Sequence, residues 1–125
     1  MLIWILRAVF YASACVAAAG MWMQTSDLPD LVVLLPDKVW HAAIYAGLTL
    51  LARLAYPQSA LWRVAAGVLM FSIGVELGQG VGATGRQVDA LDTLANLAGV
   101  LAGAALGGAL LWGWRRARKA GAQHG

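Results

Sequence analysis

The stretch E-L-G-Q-G-V-G-A-T-G-R-Q-V-D-A-L-D-T-L-A-N, Glu76 to Asn96, lies between two long apolar runs, and its reading decides the fold. It carries Glu76, Gln79, Arg86, Asp89, Asp92 and Asn96 at the junction of segments apolar enough to cross a bilayer. Polar groups in such a place are expensive unless they pair or do chemistry. A second cluster, D-K-V-W-H from Asp37 to His41, opens the apolar run before it.

The composition sets the class. Of 125 residues, 61% are hydrophobic and 12% charged, with a mean hydropathy of +0.70. A soluble domain carries about a quarter charged residues, so the expectation is an all-α integral membrane protein. At about 20 residues per crossing the chain is long enough for four helices. They are placed at about 2–23, 38–55, 61–80 and 90–114, in a single domain with a mobile basic tail over 115–125. Leu2 to Met23 reads as an uncleaved helix rather than a signal peptide, because its apolar run continues past Cys15. A lone cysteine there forms no internal disulfide and reads as a small packed residue. Gln24 to Pro36 and the glycine-rich Gly80 to Gly85 read as loops, the second without a phosphate-loop Lys-Ser/Thr pair.

Charge orients the bundle. With both termini cytoplasmic, the inner side holds Arg7, Arg53, Arg63, Arg115, Arg116, Arg118 and Lys119, and the outer side only Lys38 and Arg86. That is a strong positive-inside bias. Arg53 is expected to snorkel to the headgroups. Trp4, Trp62, Trp112 and Trp114 fall near the inner interface, Trp22 and Trp40 near the outer, as aromatic belts do.

In that topology three polar stripes meet in the outer leaflet. Asp37, His41 and Tyr45 are spaced i, i+4, i+8 on the second helix, and Glu76 and Gln79 are i, i+3 on the third. Asp92, Asn96, Gly99 and Gly103 form one stripe on the fourth, where Gly99, Gly103 and Gly107 make a ridge for close helix packing. Lipid-facing charges would cost several kcal/mol each, so the stripes should face one another. Glu76 is the deepest acid, about 22 Å up a core about 30 Å thick. It should be neutral, or held by Arg86, Lys38 or His41. Each residue also has a plain structural reading. Asp37 sits after Pro36 where an N-cap belongs, Tyr45 packs with its hydroxyl bonded, and Asn96 can be interhelical glue.

Three blocks, D-K-V-W-H-A-A-I-Y-A-G-L, E-L-G-Q and G-R-Q-V-D-A-L-D-T-L-A-N-L-A-G-V-L-A-G, resemble the VanZ-like family of small bacterial membrane proteins over residues 37 to 107. The loop departs from the pattern: Thr84 precedes Gly85-Arg86 where members often have a proline. The resemblance implies a multi-pass protein of the bacterial inner membrane, linked through its name-giving member to resistance to the glycopeptide teicoplanin. It carries the family's polar positions onto Asp37, Lys38, His41, Tyr45, Glu76, Gln79, Arg86, Asp92, Asn96, Gly99 and Gly103.

Two functions follow as expectations. One is a hydrolase or transferase on an outer-leaflet lipid or a phosphorylated or lipid-linked envelope precursor. His41 and Glu76 would be its acid–base pair, with Asp92 as a third catalytic group orienting them beside Asn96. Lys38 and Arg86 would hold a phosphate or carboxylate, with Asp37, Tyr45 and Gln79 completing the binding surface. The other is a binder that sequesters such a precursor or docks an envelope-synthesis partner or a second copy. Proton-coupled transport through Glu76 is weaker, since no inverted repeat is visible. A metal set from Asp37, His41, Glu76 and Asp92 has no diagnostic spacing; no metal or cofactor is expected, and the bilayer rather than nucleic acid is the partner.

Overall fold

The computed structural model describes residues 1–23, 36–81 (Val81 by its backbone) and 90–122. Four α-helices make up almost all of these residues: α1 Leu2–Trp22, α2 Asp37–Ala55, α3 Leu61–Val81 and α4 Ala90–Ala122. Both predicted loops lie almost wholly outside the described residues, and Arg86 and Asp89 with them.

α1, α3 and α4 are long and apolar enough to cross a membrane. α2 is not among them, because Asp37, Lys38, His41, Thr49 and Arg53 dilute its apolar run. The arrangement compensates for this. α2 is the central helix, packed most extensively on α4 and also against α1 and α3. Its buried residues include His41, Tyr45, Leu48, Ala52 and Ala55, at helical spacing. The helix whose apolar run is too diluted to cross a membrane is the one packed most extensively on the others. The outer helices instead expose large apolar side chains, among them Ile3, Val9 and Val16 of α1, Met70 of α3, and Leu101, Leu106 and Leu110 of α4. A surface of that kind marks a membrane or partner-facing protein.

Glycines set the closest contact. A Cβ on Gly99 would run into the backbone carbonyl oxygen of Ala42, and one on Gly103 into that of Ala46. A Cβ on Gly107 would lie 2.8 Å from Cγ of Arg53. The ridge on α4 thus seats directly on the backbone of α2, which larger residues would prevent. Gly78 on α3 makes room for the Trp22 ring of α1 in the same way, at 2.7 Å from its would-be Cβ.

Four expectations need correction. Asp37 is the first residue of α2 rather than its cap; Pro36 occupies the cap position, with no side-chain cap bond. The tail expected to be mobile from Arg115 continues α4 to Ala122. Alanine, arginine and lysine favour helix, and Arg116 and Arg118 stack on Trp112 and Trp114 one turn back, at 3.8 and 4.8 Å from the ring centroids. Arg53 does not snorkel. It is 8% exposed and its Nη1 donates to the carbonyls of Tyr56, Pro57 and Ser59 at 3.2, 3.5 and 2.8 Å. Cys15, expected to be packed, is exposed on α1.

Candidate functional site

The polar stripes converge where α2 and α4 begin and α3 ends. At its centre Asn96, fully buried, lies between His41 and Glu76, which are 4% and 5% exposed. His41 Nδ1 is 2.9 Å from Asn96 Oδ1, and Asn96 Nδ2 donates to Glu76 Oε1 at 3.4 Å. Glu76 Oε1 is also 3.7 Å from His41 Nδ1. The direction of these bonds follows from chemistry. The Glu76 oxygen accepts from the Asn96 amide NH₂, so the amide oxygen faces His41 and can only accept. His41 Nδ1 therefore carries the proton, and in the neutral ring the Nε2 lone pair is left on the other side.

That side is the rim. His41 Nε2 lies 3.8 Å from Asp37 Oδ2, too far for a hydrogen bond. Lys38 Nζ donates to Asp92 Oδ1 at 2.9 Å, joining the first turns of α2 and α4. The side chains of Asp37 and Lys38 are 55% and 43% exposed, that of Asp92 14%. Both aspartates sit in the first turn of a helix, where the exposed N–H groups and the helix dipole favour a carboxylate. One atom each from Asp37, His41 and Asp92 lies within 4.8 Å of the others.

The sequence-derived set is thus divided by the structure. His41, Glu76 and Asn96 form the buried chain, and Asp37, Lys38 and Asp92 the rim. Asp92 engages Lys38, while Asn96 holds the imidazole. Tyr45, fully buried, donates its hydroxyl to the sulfur of Met21 at 3.4 Å. Gln79 donates its side-chain NH₂ to the Met21 carbonyl. Both tie the end of α1 to the bundle. Gly99 and Gly103 lie in the α2–α4 seam. Arg86 falls outside the described residues.

Met21 is the participant that sequence reasoning missed. It contributes a sulfur and a backbone carbonyl, and no polar pattern signals either.

Comparison with known proteins identifies no relative: no family model matches the chain, and neither does any curated protein or solved structure.

Proposed function

We propose that the chain is a VanZ-like multi-pass protein of the bacterial inner membrane, with both termini cytoplasmic and its polar site facing outward. In this reading the site binds and acts on an outer-leaflet lipid or a phosphorylated or lipid-linked envelope precursor. The link to glycopeptide resistance rests on the resemblance of the three sequence blocks. Orientation draws support from the clustering of Arg7, Arg53 and Arg115 about one end of the bundle, as the positive-inside rule requires of the cytoplasmic side.

The observation that carries the reading is the buried chain His41–Asn96–Glu76, which leaves the imidazole Nε2 lone pair at a charged rim. Such an imidazole is arranged to accept a proton from a water or hydroxyl nucleophile. Glu76 does not reach the rim itself in this scheme. It acts through Asn96 and its 3.7 Å approach to Nδ1 to steady the imidazolium that forms. Lys38, released from Asp92, supplies a cation for phosphate or carboxylate, and Arg86 joins it by resemblance alone.

A receptor without turnover is the second reading. It is favoured by the commitment of Tyr45 and Gln79 to Met21, which takes two expected ligand contacts out of the site. The test is native mass spectrometry of lipids that co-purify with wild type, His41→Gln and Glu76→Gln. An envelope lipid whose chemical form differs between wild type and the variants supports the enzyme. The same lipid, unchanged in form and amount across all three, supports the receptor. Bulk phospholipid alone in every sample would sink both.

A further inference from the structure

We propose that Asp37, His41 and Asp92 bind one divalent cation of the zinc type at the rim. Two observations meet here. Two carboxylates and one imidazole, from the starts of two helices, bring donor atoms within 4.8 Å of one another. Independently, the Asn96 bond fixes the proton on His41 Nδ1. The Nε2 lone pair of a residue only 4% exposed then points at the carboxylates with no hydrogen-bond partner among the described residues.

This is the arrangement that a metal-binding histidine requires. One ring nitrogen ligates, and the other donates to a fixed oxygen that sets the tautomer and the ring plane. Asn96 fills the second role, with Glu76 behind it. An imidazole with two carboxylates is a mixed nitrogen–oxygen set that suits zinc better than magnesium or calcium, which prefer all-oxygen shells. Zinc–ligand bonds of about 2.0–2.2 Å require the donor atoms to close by roughly an ångström. Asp37 can supply that movement, since its side chain is 55% exposed. Three protein ligands leave a fourth position toward the exposed rim, as in sites that bind a further molecule.

Lys38 is the competitor. Its ammonium lies 2.9 Å from Asp92 Oδ1, and a divalent ion would displace it while neutralising both carboxylates. The cation site stands apart from the proposed proton-acceptor role of His41, because an ion on Nε2 would take the lone pair that role needs. A receptor could use the ion as it stands, and an enzyme would need its nucleophile at the ion's open fourth position instead.

The experiment is zinc titration calorimetry on the chelator-treated full chain in detergent, with cobalt(II) absorption as a second reading of the ligand set. One zinc per chain is expected, with a tetrahedral cobalt spectrum. Asp37→Asn, at an exposed position that leaves the buried network intact, should weaken binding by more than the roughly 10–100-fold that loss of an outer-shell partner costs. Asp92→Asn should do the same, and Lys38→Met should tighten binding. Wild type without stoichiometric binding would overturn the proposal. So would zinc affinity unchanged in Asp37→Asn and Asp92→Asn, which would put the metal elsewhere. Weaker zinc binding by Lys38→Met would overturn it too.

Discussion

The two ends of α2 are both polar and are built on opposite plans. At the Pro57 end, three guanidinium groups converge on one turn. Arg53 donates to Tyr56, Pro57 and Ser59, Arg7 to Ala55 at 3.4 Å and Arg115 to Pro57 at 2.9 Å. Every guanidinium acceptor there is a backbone carbonyl, of the last residue of α2 or of the turn that follows it. At the Asp37 end the bonds described join side chain to side chain, from His41 to Asn96 to Glu76 and from Lys38 to Asp92. Cations on carbonyls fix a helix terminus and hold no proton to exchange. A chain of imidazole, amide and carboxylate that opens beside the exposed Asp37 can exchange protons and ligands. One end is a fastening, the other a site.

The largest expected effect breaks the seam that joins both ends. Gly103→Leu puts a side chain against the carbonyl of Ala46 and should cost about 3 kcal/mol or more, read as a loss of thermal stability in detergent. Arg53→Met is next. It removes the three Arg53 bonds of the fastening, leaving those of Arg7 and Arg115, and should cost about 2–3 kcal/mol. The loss should be equal across about pH 5 to 9, because a guanidinium does not titrate there. A loss that varied with pH would erase the distinction between the ends.

Asn96→Leu probes the site, with an expected cost of about 2 kcal/mol for the partners left unbonded. Its specific signature is the imidazole. Nitrogen NMR should find the His41 proton on Nδ1 in wild type and a mixture of tautomers in the variant. Smallest is Tyr11→Phe. The Tyr56 phenol is held above its ordinary pKa, first by its 2.8 Å hydrogen bond with Tyr11 and then by partial burial, while Arg7 opposes the rise. Its ultraviolet titration should move down in the variant. The associated stability is present below the ordinary tyrosine pKa and is lost as pH rises through the elevated one.

Much of this was legible from spacing. The i, i+4 step from Asp37 to His41 and the four-residue glycine ridge each placed residues on a face, and those faces do meet. The pairings within the meeting were not legible. Spacing puts Asp92 and Asn96 on one stripe equally well, and only the depth difference of one helical turn gives Asn96 to the imidazole and Asp92 to Lys38. Gln79 and Tyr45 were drawn to Met21 by a backbone carbonyl and a sulfur, groups that hydrophobic patterning does not register. Arg53 misled because a cation near a helix end fits both snorkelling and bonding to the last carbonyls. The extent of α4 misled because charge was read as disorder, where arginine–tryptophan stacking continues the helix. The resemblance to the VanZ-like family remains a proposal, carried by its three blocks.

The seating of Gly99 and Gly103 against the carbonyls of Ala42 and Ala46 bears on how the site could move. Each carbonyl occupies a notch that ends where the next side chain begins, so α2 and α4 cannot slide past one another without climbing out of register. His41 and Asn96 therefore stand as one fixed jaw. Glu76 rides on α3, which packs less extensively against both helices. A swing of α3 would widen this end while leaving the glycine seats in place, and the bond from Asn96 to Glu76 is the latch that such a swing opens first.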